Sequence, residues 1–346
     1  MDRFAAPKFG VSFSRLDSAL GEDGCLRWYF WRSYGSWKGW ERDAPPDAAL
    51  AYRLGKMRSL AALAGAAVHE AAQHVFGNTS QGLSVWPADK LAQETANAFM
   101  GDVRRILPQD LHSSSKRKPA LQEAVYGVWD QDPRSEDFDR TTAKRLKPGT
   151  DGFRQALNRE VVFYEERIRV SVQVLTELPL LKHLASGAYR LERMEQLTEI
   201  QVPFEGSEDT FTAWISPDML LSRPDVGRYL LVDWKSGEAK EGHIEQLGLY
   251  AMEAVQAGIP PSDVGLMLVY LSEESELRRV QVYPCRQQLV DEARARLQAG
   301  AGQLRELAVD GDVVANRPVE MERFTQLAEG SSRCGWCEYR MLCGRD

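Results

Sequence analysis

Arg228-Tyr229-Leu230-Leu231-Val232-Asp233-Trp234-Lys235, followed by Ser236-Gly237, is the stretch that decides the fold. The run Tyr229–Val232 is continuously apolar and follows the turn-forming Arg223-Pro224-Asp225-Val226-Gly227, so it reads as a buried strand. Side chains alternate across a strand, which puts Asp233 and Lys235 on one face and Trp234 on the other. An Asp-x-Lys alone usually means a surface ion pair, but this one closes a buried strand. A second acid, Asp218 in Ser216-Pro217-Asp218, ends the preceding extended segment. Two carboxylates side by side at a sheet edge are hard oxygen ligands of the kind Mg²⁺ and Mn²⁺ prefer. A lysine beside them can polarise a water and offset charge on a phosphate, the elements of metal-assisted phosphodiester hydrolysis.

Outward from this strand the pattern is mixed. Leu197–Phe204 and Thr210–Ser216 read as strands before it. Val264–Tyr270 and Arg278–Tyr283 read as strands after it, separated from it by a helix over about His243–Gln256. A further helix carries Leu289, Leu297, Leu304 and Leu307. Near the N-terminus, Leu50, Leu54, Met57, Ala61, Ala64, Val68, Ala72 and Val75 recur every three or four residues and predict one long amphipathic helix. Gly65 and His69 share a face of it. Residues 86–185 are mostly of helical pattern, broken near Pro108, Pro119 and Pro133. At 346 residues, one core plus a large insertion is expected. The expected divisions are an N-terminal segment 1–85, a helical insertion 86–190, the core 191–310 and a C-terminal segment 311–346.

The composition, 43% hydrophobic and 27% charged, is that of a soluble globular chain. No apolar run is long enough to span a bilayer and the first residues lack a signal-peptide core, so a cytoplasmic location without membrane contact is expected. A net charge of −7 argues against a broad basic face. Local clusters, Lys116-Arg117-Lys118 and Lys144-Arg145-Leu146-Lys147, are either strand contacts or solvated loops. The aromatic run Trp28–Trp31, continuing to Trp40, is expected mainly to pack, with base stacking as the sharper alternative.

Four of the five cysteines stand at the chain ends. Cys25 lies among the N-terminal aromatics, and Cys334-Gly335-Trp336-Cys337 is followed by Cys343. In a reducing compartment these are metal ligands before they are disulfides. By number they suit zinc or an iron–sulfur cluster equally. Cys285, without a neighbour at ligand spacing, reads as an ordinary buried thiol.

Taken together, these blocks resemble the PD-(D/E)XK nuclease superfamily, and within it the RecB-like branch. Gly65-Ala66-Ala67-Val68-His69-Glu70 resembles the helical histidine motif. Pro217-Asp218 and Asp233-Trp234-Lys235 resemble the catalytic acids and lysine, and Gln246-x-x-x-Tyr250 resembles the motif on the helix that follows. Glu199 is a looser match to an acid one strand earlier. The family's glycine and aliphatic residue before the first acid are replaced here by Ile215-Ser216-Pro217, with Asp225 as the alternative acid. The wide separation of Cys25 from the Cys334–Cys343 group is similar to the iron–sulfur members of that branch, CRISPR-adaptation exonucleases and AddB-type nuclease domains among them.

The resemblance implies an α/β, restriction-endonuclease-like core with a central mixed sheet flanked by helices. It implies a large helical insertion and a 4Fe–4S cluster on Cys25, Cys334, Cys337 and Cys343 clasping the two termini. It implies His69, Asp218 and Asp233 as ligands of Mg²⁺ or Mn²⁺, Lys235 as the catalytic lysine that positions the attacking water and stabilises charge on the phosphate, and Gln246 and Tyr250 as catalytic-site residues that place substrate. The implied activity is hydrolysis of DNA at ends or in single strands, in recombination, repair, CRISPR adaptation or phage defence. A catalytically silent DNA-binding or scaffolding subunit is the rival reading. The sequence contains no Walker motif, so any helicase would be a separate partner.

Overall fold

The computed structural model describes residues 7–108, 111, 119–139, 141–237, 239, 242–273, 275–328 and 330–345. Lys116, Arg117 and Lys118 therefore lie outside the described residues. Among those described, ten strands form: β1 (Gly10–Val11), β2 (Val128–Trp129), β3 (Arg145–Leu146), β4 (Arg190–Met194), β5 (Thr198–Pro203), β6 (Thr210–Ile215), β7 (Met219–Arg223), β8 (Arg228–Lys235), β9 (Val264–Tyr270) and β10 (Val280–Pro284). The chain divides into two compact units. The first comprises residues 1–34, 73–85 and 177–333, and the second residues 35–72, 86–176 and 334–346.

The first unit is mixed α/β. Its larger sheet has the order β10-β9-β8-β7-β4, with β8 and β9 parallel and the other pairs antiparallel. The decisive strand β8 is thus central, buried from Leu230 to Trp234. Its parallel pairing with β9 requires a crossover, and the Gly242–Gln256 helix supplies it. A second sheet, β1-β6-β5, holds the hairpin Thr198–Ile215 and a short parallel β1. The expectation of a central mixed sheet flanked by helices is met by β10-β9-β8-β7-β4, but Thr198–Ile215 belongs to the second sheet. Pro217 explains the division: it supplies no N–H to a ladder, and the chain leaves the second sheet at Ile215 and enters the first at Met219.

Two strands of the larger sheet are not legible in the sequence. Arg190-Leu191-Glu192-Arg193-Met194 lacks alternation because it is a largely accessible edge strand. Met219–Arg223 follows Asp218 directly and reads as the approach to a turn, yet β8 and β4 flank it on both sides.

The Gly242–Gln256 helix buries Leu247, Leu249, Tyr250, Ala251 and Met252. It packs against the Gln287–Arg305 helix, whose Val290, Ala293, Leu297, Ala301 and Leu304 form the facing stripe. A Cβ on Gly248 would stand 3.0 Å from the Leu289 carbonyl oxygen and 3.2 Å from Ala293 Cβ, so the glycine sets how closely the helices approach. On the other face of β8, Trp234 is 2% exposed and stacks on Phe76 at 5.5 Å and 7°. That pair fixes the end of the Leu60–Ser80 helix to the sheet. Cys285 is buried in the same core, and burial pushes its thiol pKa up.

The second unit is largely helical, with Pro46–Leu54, Ala88–Ile106 and Phe153–Glu177 as its main described elements beside the first part of Leu60–Ser80. The expected insertion, 86–190, contributes residues 86–176 to it and the remainder to the first unit. It also contains the hairpin β2–β3. The single long helix expected from Leu50 to Val75 is instead two helices, interrupted at residues 55–59. There Arg58 donates to the Ala120 carbonyl and Gln122 donates back to Arg58, a backbone bridge that outweighs the apolar periodicity.

The aromatic run also divides. Tyr29, Trp31 and Tyr34 are buried as expected, whereas Trp37 and Trp40 are exposed.

Candidate active site

The site is assembled where β8 ends. Met219 pairs with Val232, so Asp218 lies opposite Asp233 by extension of the same register. Asp218 Oδ2 accepts a 2.8 Å hydrogen bond from the Trp234 backbone N–H. The peptide linking Asp233 to Trp234 therefore orients the neighbouring carboxylate, and both acids are buried.

Lys235 is anchored twice. Its Nζ is 2.6 Å from Asp233 Oδ2 and donates to Gln246 Oε1 at 2.8 Å. Gln246 Nε2 in turn donates to the Tyr250 hydroxyl. The i, i+4 spacing on the Gly242–Gln256 helix brings these two side chains together on the face turned to β8. Burial, reinforced by the negative charges of Asp233 and Asp218, pushes the Tyr250 pKa far up and keeps the phenol protonated.

Asp233 Oδ2 has almost no accessible surface. Lys235 is close enough for ion pairing, but no donor is aligned for a hydrogen bond to this oxygen. A buried carboxylate oxygen in that condition is coordination capacity, since polar atoms removed from water ordinarily have a partner. The donor set consists of hard oxygens, so it fits a divalent ion such as Mg²⁺ or Mn²⁺.

A further carboxylate, not read from the sequence, joins them. Glu195 lies between β4 and β5, and its ligand-capable oxygens come within 4.8 Å of those of Asp218. Its backbone N–H donates to the Asp218 carbonyl at 2.9 Å, and its Oε2 accepts from Gln73 Nε2 at 2.7 Å. Glu195 adopts φ +47°, a left-handed conformation uncommon outside glycine and asparagine. No periodicity marks such a residue, because it belongs to no strand or helix. The one sequence clue is an acid just ahead of a strand in a chain already carrying Asp218 and Asp233.

Glu199, the looser match, is placed elsewhere. It sits on β5 in the second sheet, accepting from Lys8 at 2.6 Å and Trp214 at 3.2 Å, and the Lys8 bond leads the causes that lower its pKa. Asp225 lies in the β7–β8 turn, at the other end of these strands, paired with Arg223. His69 is half-exposed on the Leu60–Ser80 helix, in the part grouped with the second unit. Helical spacing puts it on the same face as Gln73, one turn upstream.

The cysteines are all free thiols. In the second unit, Arg345 Nη1 donates to Cys334 Sγ at 3.0 Å and the Tyr339 N–H donates to Cys337 Sγ at 3.4 Å. The segment is held by Arg340, which donates to the Gly335 carbonyl and lies 3.8 Å over the Tyr126 ring. Donors directed at sulfur suit thiolate ligands of the kind that hold an iron–sulfur cluster or zinc. Cys25 belongs to the first unit, where it precedes the Leu26–Phe30 helix. Of the described basic cluster, Arg145 is committed to structure: it donates to the carbonyls of Gly127 and Gly335, leaving Lys144 and Lys147 exposed.

Among the described residues, no helix is long and apolar enough to cross a membrane. No match is found among curated proteins. Among solved structures, the protein SSO0001 is similar over 54% of this chain and 82% of its own. The identity is 14% and the TM-score 0.26, a likeness too slight to carry an argument. The sequence profile of the PD-(D/E)XK nuclease superfamily matches residues 42–344, a span that includes Asp218, Asp233 and Lys235 as well as Glu195. With that match over most of its length, the chain belongs to the PD-(D/E)XK nuclease superfamily.

Proposed function

We propose that the protein is a divalent-metal-dependent DNA nuclease acting on ends or single strands. Asp218 and Asp233 are its principal metal ligands, Glu195 adds a third carboxylate, and His69 completes the set from the Leu60–Ser80 helix. The observation that carries this reading is the hydrogen bond from the Trp234 N–H to Asp218, beside the ion pair of Asp233 with Lys235. A bound Mg²⁺ or Mn²⁺ supplies Lewis-acid polarisation of the phosphodiester and lowers the pKa of an attacking water.

The chain's own residues do the positioning. Trp234 holds Asp218, and Gln73 holds Glu195. Lys235 carries positive charge to where charge develops on the phosphate, and Gln246 fixes the lysine's direction. Tyr250 stays neutral and braces Gln246.

Cys334, Cys337 and Cys343, with Cys25, are proposed to hold a 4Fe–4S cluster of structural role, and repair, recombination or antiviral defence is the expected setting. The test is cleavage of end-labelled single- and double-stranded DNA by wild type and Asp233→Ala, with Mn²⁺ or EDTA. The reading requires metal-dependent cutting by wild type and none by a folded Asp233→Ala. Wild-type rates from that variant would show that the site has been misplaced.

A further inference from the structure

The tryptophans are distributed unevenly. Of nine, Trp37, Trp40, Trp86 and Trp336 are the exposed ones, at 37%, 45%, 41% and 58%, and all four belong to the second unit. Indole is the largest apolar side chain, and several exposed in one unit mark a binding surface more readily than scattered aliphatics do.

Trp86 and Trp336 each have a cation at the ring, and the Trp37–Trp40 pair leads through Tyr52 to another. Trp37 packs edge-on against Trp40 at 5.2 Å, and Trp40 against Tyr52 at 5.7 Å; Lys56 Nζ lies 5.5 Å from the Tyr52 ring. Lys90 Nζ stands 4.8 Å from the Trp86 centroid. Arg145 lies between two indoles, 4.2 Å from Trp129 and 5.5 Å from Trp336. Edge-on packing and guanidinium stacking stiffen the rings while leaving area accessible.

Charge selects the occupant. The second unit contains 22 Lys and Arg against 20 Asp and Glu, net +2, whereas the first contains 21 against 30, net −9. The chain's acidity therefore lies in the first unit, and the second repels a polyanion far less. Rings paired with cations are what successive bases and phosphates of an unpaired strand require, because only an unpaired strand offers base faces. A duplex, held by its phosphates, would call for a larger excess of Lys and Arg.

We infer that the second unit binds single-stranded nucleic acid, with Trp37–Trp40, Trp86 and Trp336 as three base-stacking stations. This deepens the nuclease reading and rests on it only in identifying the strand that is held with the strand that is cut.

Binding is measured on the full chain in EDTA, where nothing is cleaved, with a fluorescein-labelled oligo(dT) of about 20 nucleotides and a duplex of the same length. Wild type is compared with Trp37→Ala/Trp40→Ala, Trp86→Ala, Trp336→Ala and Trp86→Phe. Loss of a station is expected to weaken oligo(dT) binding about tenfold and to remove part of the tryptophan quenching, at unchanged melting temperature. Trp86→Phe should retain most of the affinity. Unchanged affinity in all three alanine variants overturns the inference. So does a wild type that ignores oligo(dT) or prefers duplex, which would turn these rings toward a protein partner. Failure of the nuclease reading shows separately, as absence of cleavage by wild type with Mn²⁺.

Discussion

Trp234 and Asp218 are joined backbone to side chain: the Trp234 N–H donates to Asp218 Oδ2 at 2.8 Å. Because the donor belongs to the peptide following Asp233, substitution of the Trp234 side chain leaves this bond available. The two acids are therefore coupled through main chain, and distortion at the end of β8 is felt by both.

Removing Lys235 should separate metal binding from chemistry. Lys235→Ala is expected to retain Mn²⁺ affinity while cutting slower by on the order of 100-fold or more, the usual scale for one positioned charge. Calorimetric Mn²⁺ titration beside single-turnover cleavage checks this. Equal losses in both would make the lysine a structural partner of Asp233.

Glu195 should act on the metal rather than on the strand. Glu195→Gln is expected to raise the Mn²⁺ concentration needed for half-maximal cleavage, with rates recovering at excess metal. Gln73→Ala should show a weaker version of the same shift, since Gln73 only orients Glu195. An unchanged metal requirement in Glu195→Gln would remove it from the ligand set.

The cysteines predict a colour. Protein purified without oxygen should be brown, with absorption near about 400 nm expected of a thiolate-held cluster. Serine at position 25, 334, 337 or 343 should bleach it, while Cys285→Ser should not, because that thiol is buried in the apolar core. A colourless protein with one equivalent of zinc would decide for zinc.

Glu123 predicts a pH dependence of stability. Its Oε1 accepts from the Leu60 N–H at 2.9 Å at the start of the Leu60–Ser80 helix, while Oε2 is buried without a hydrogen-bond partner. Burial pushes its pKa up to about 7, Glu160 adds to the rise, and Arg145 and the backbone donors oppose it. The folded state holds this proton where the unfolded chain has released it. Stability from this group is therefore full below about pH 4.5 and declines as pH rises toward 7, by about 3 kcal/mol. Glu123→Gln should remove that decline when urea midpoints are compared between pH 5 and 7.5. Parallel curves for the two proteins would place the Glu123 titration near its ordinary range.

Gly248 predicts a packing effect. With backbone and Ala293 already 3.0–3.2 Å from its missing Cβ, Gly248→Val must push the Gln287–Arg305 helix away. A cost of about 1–3 kcal/mol is expected. Cleavage should fall too, because Gln246 and Tyr250 flank this residue on the same helix. A variant with unchanged urea midpoint and rate would count against this tight approach.

What was legible in the sequence follows from what each residue answers to. β8, β9 and the Gly242–Gln256 helix were readable because burial imposes apolar runs of strand or helix period. Asp233, Lys235, Gln246 and Tyr250 were readable because fixed spacing on those elements carries them to one place. Glu195 was not, since its position depends on the loop between β4 and β5 and on its bond to Asp218. The interruption at residues 55–59 was hidden for a related reason: Arg58 pairs with Leu121, more than sixty positions away, and no local window contains that partner. The exposure of Trp37 and Trp40 was masked by the packed aromatics beside them, which have the same composition.

Lys235 carries one consequence further. The Lys235 ammonium is held by one directional bond, donated to Gln246 Oε1, and by one ion pair, with Asp233 2.6 Å away. The hydrogen bond sets the axis of the side chain's end and the ion pair sets where its charge rests. Arginine, planar and longer, cannot bond Gln246 along that axis and leave its charge in the same place. Lys235→Arg should therefore be as inactive as Lys235→Ala despite keeping its charge, since what this network conserves is a direction.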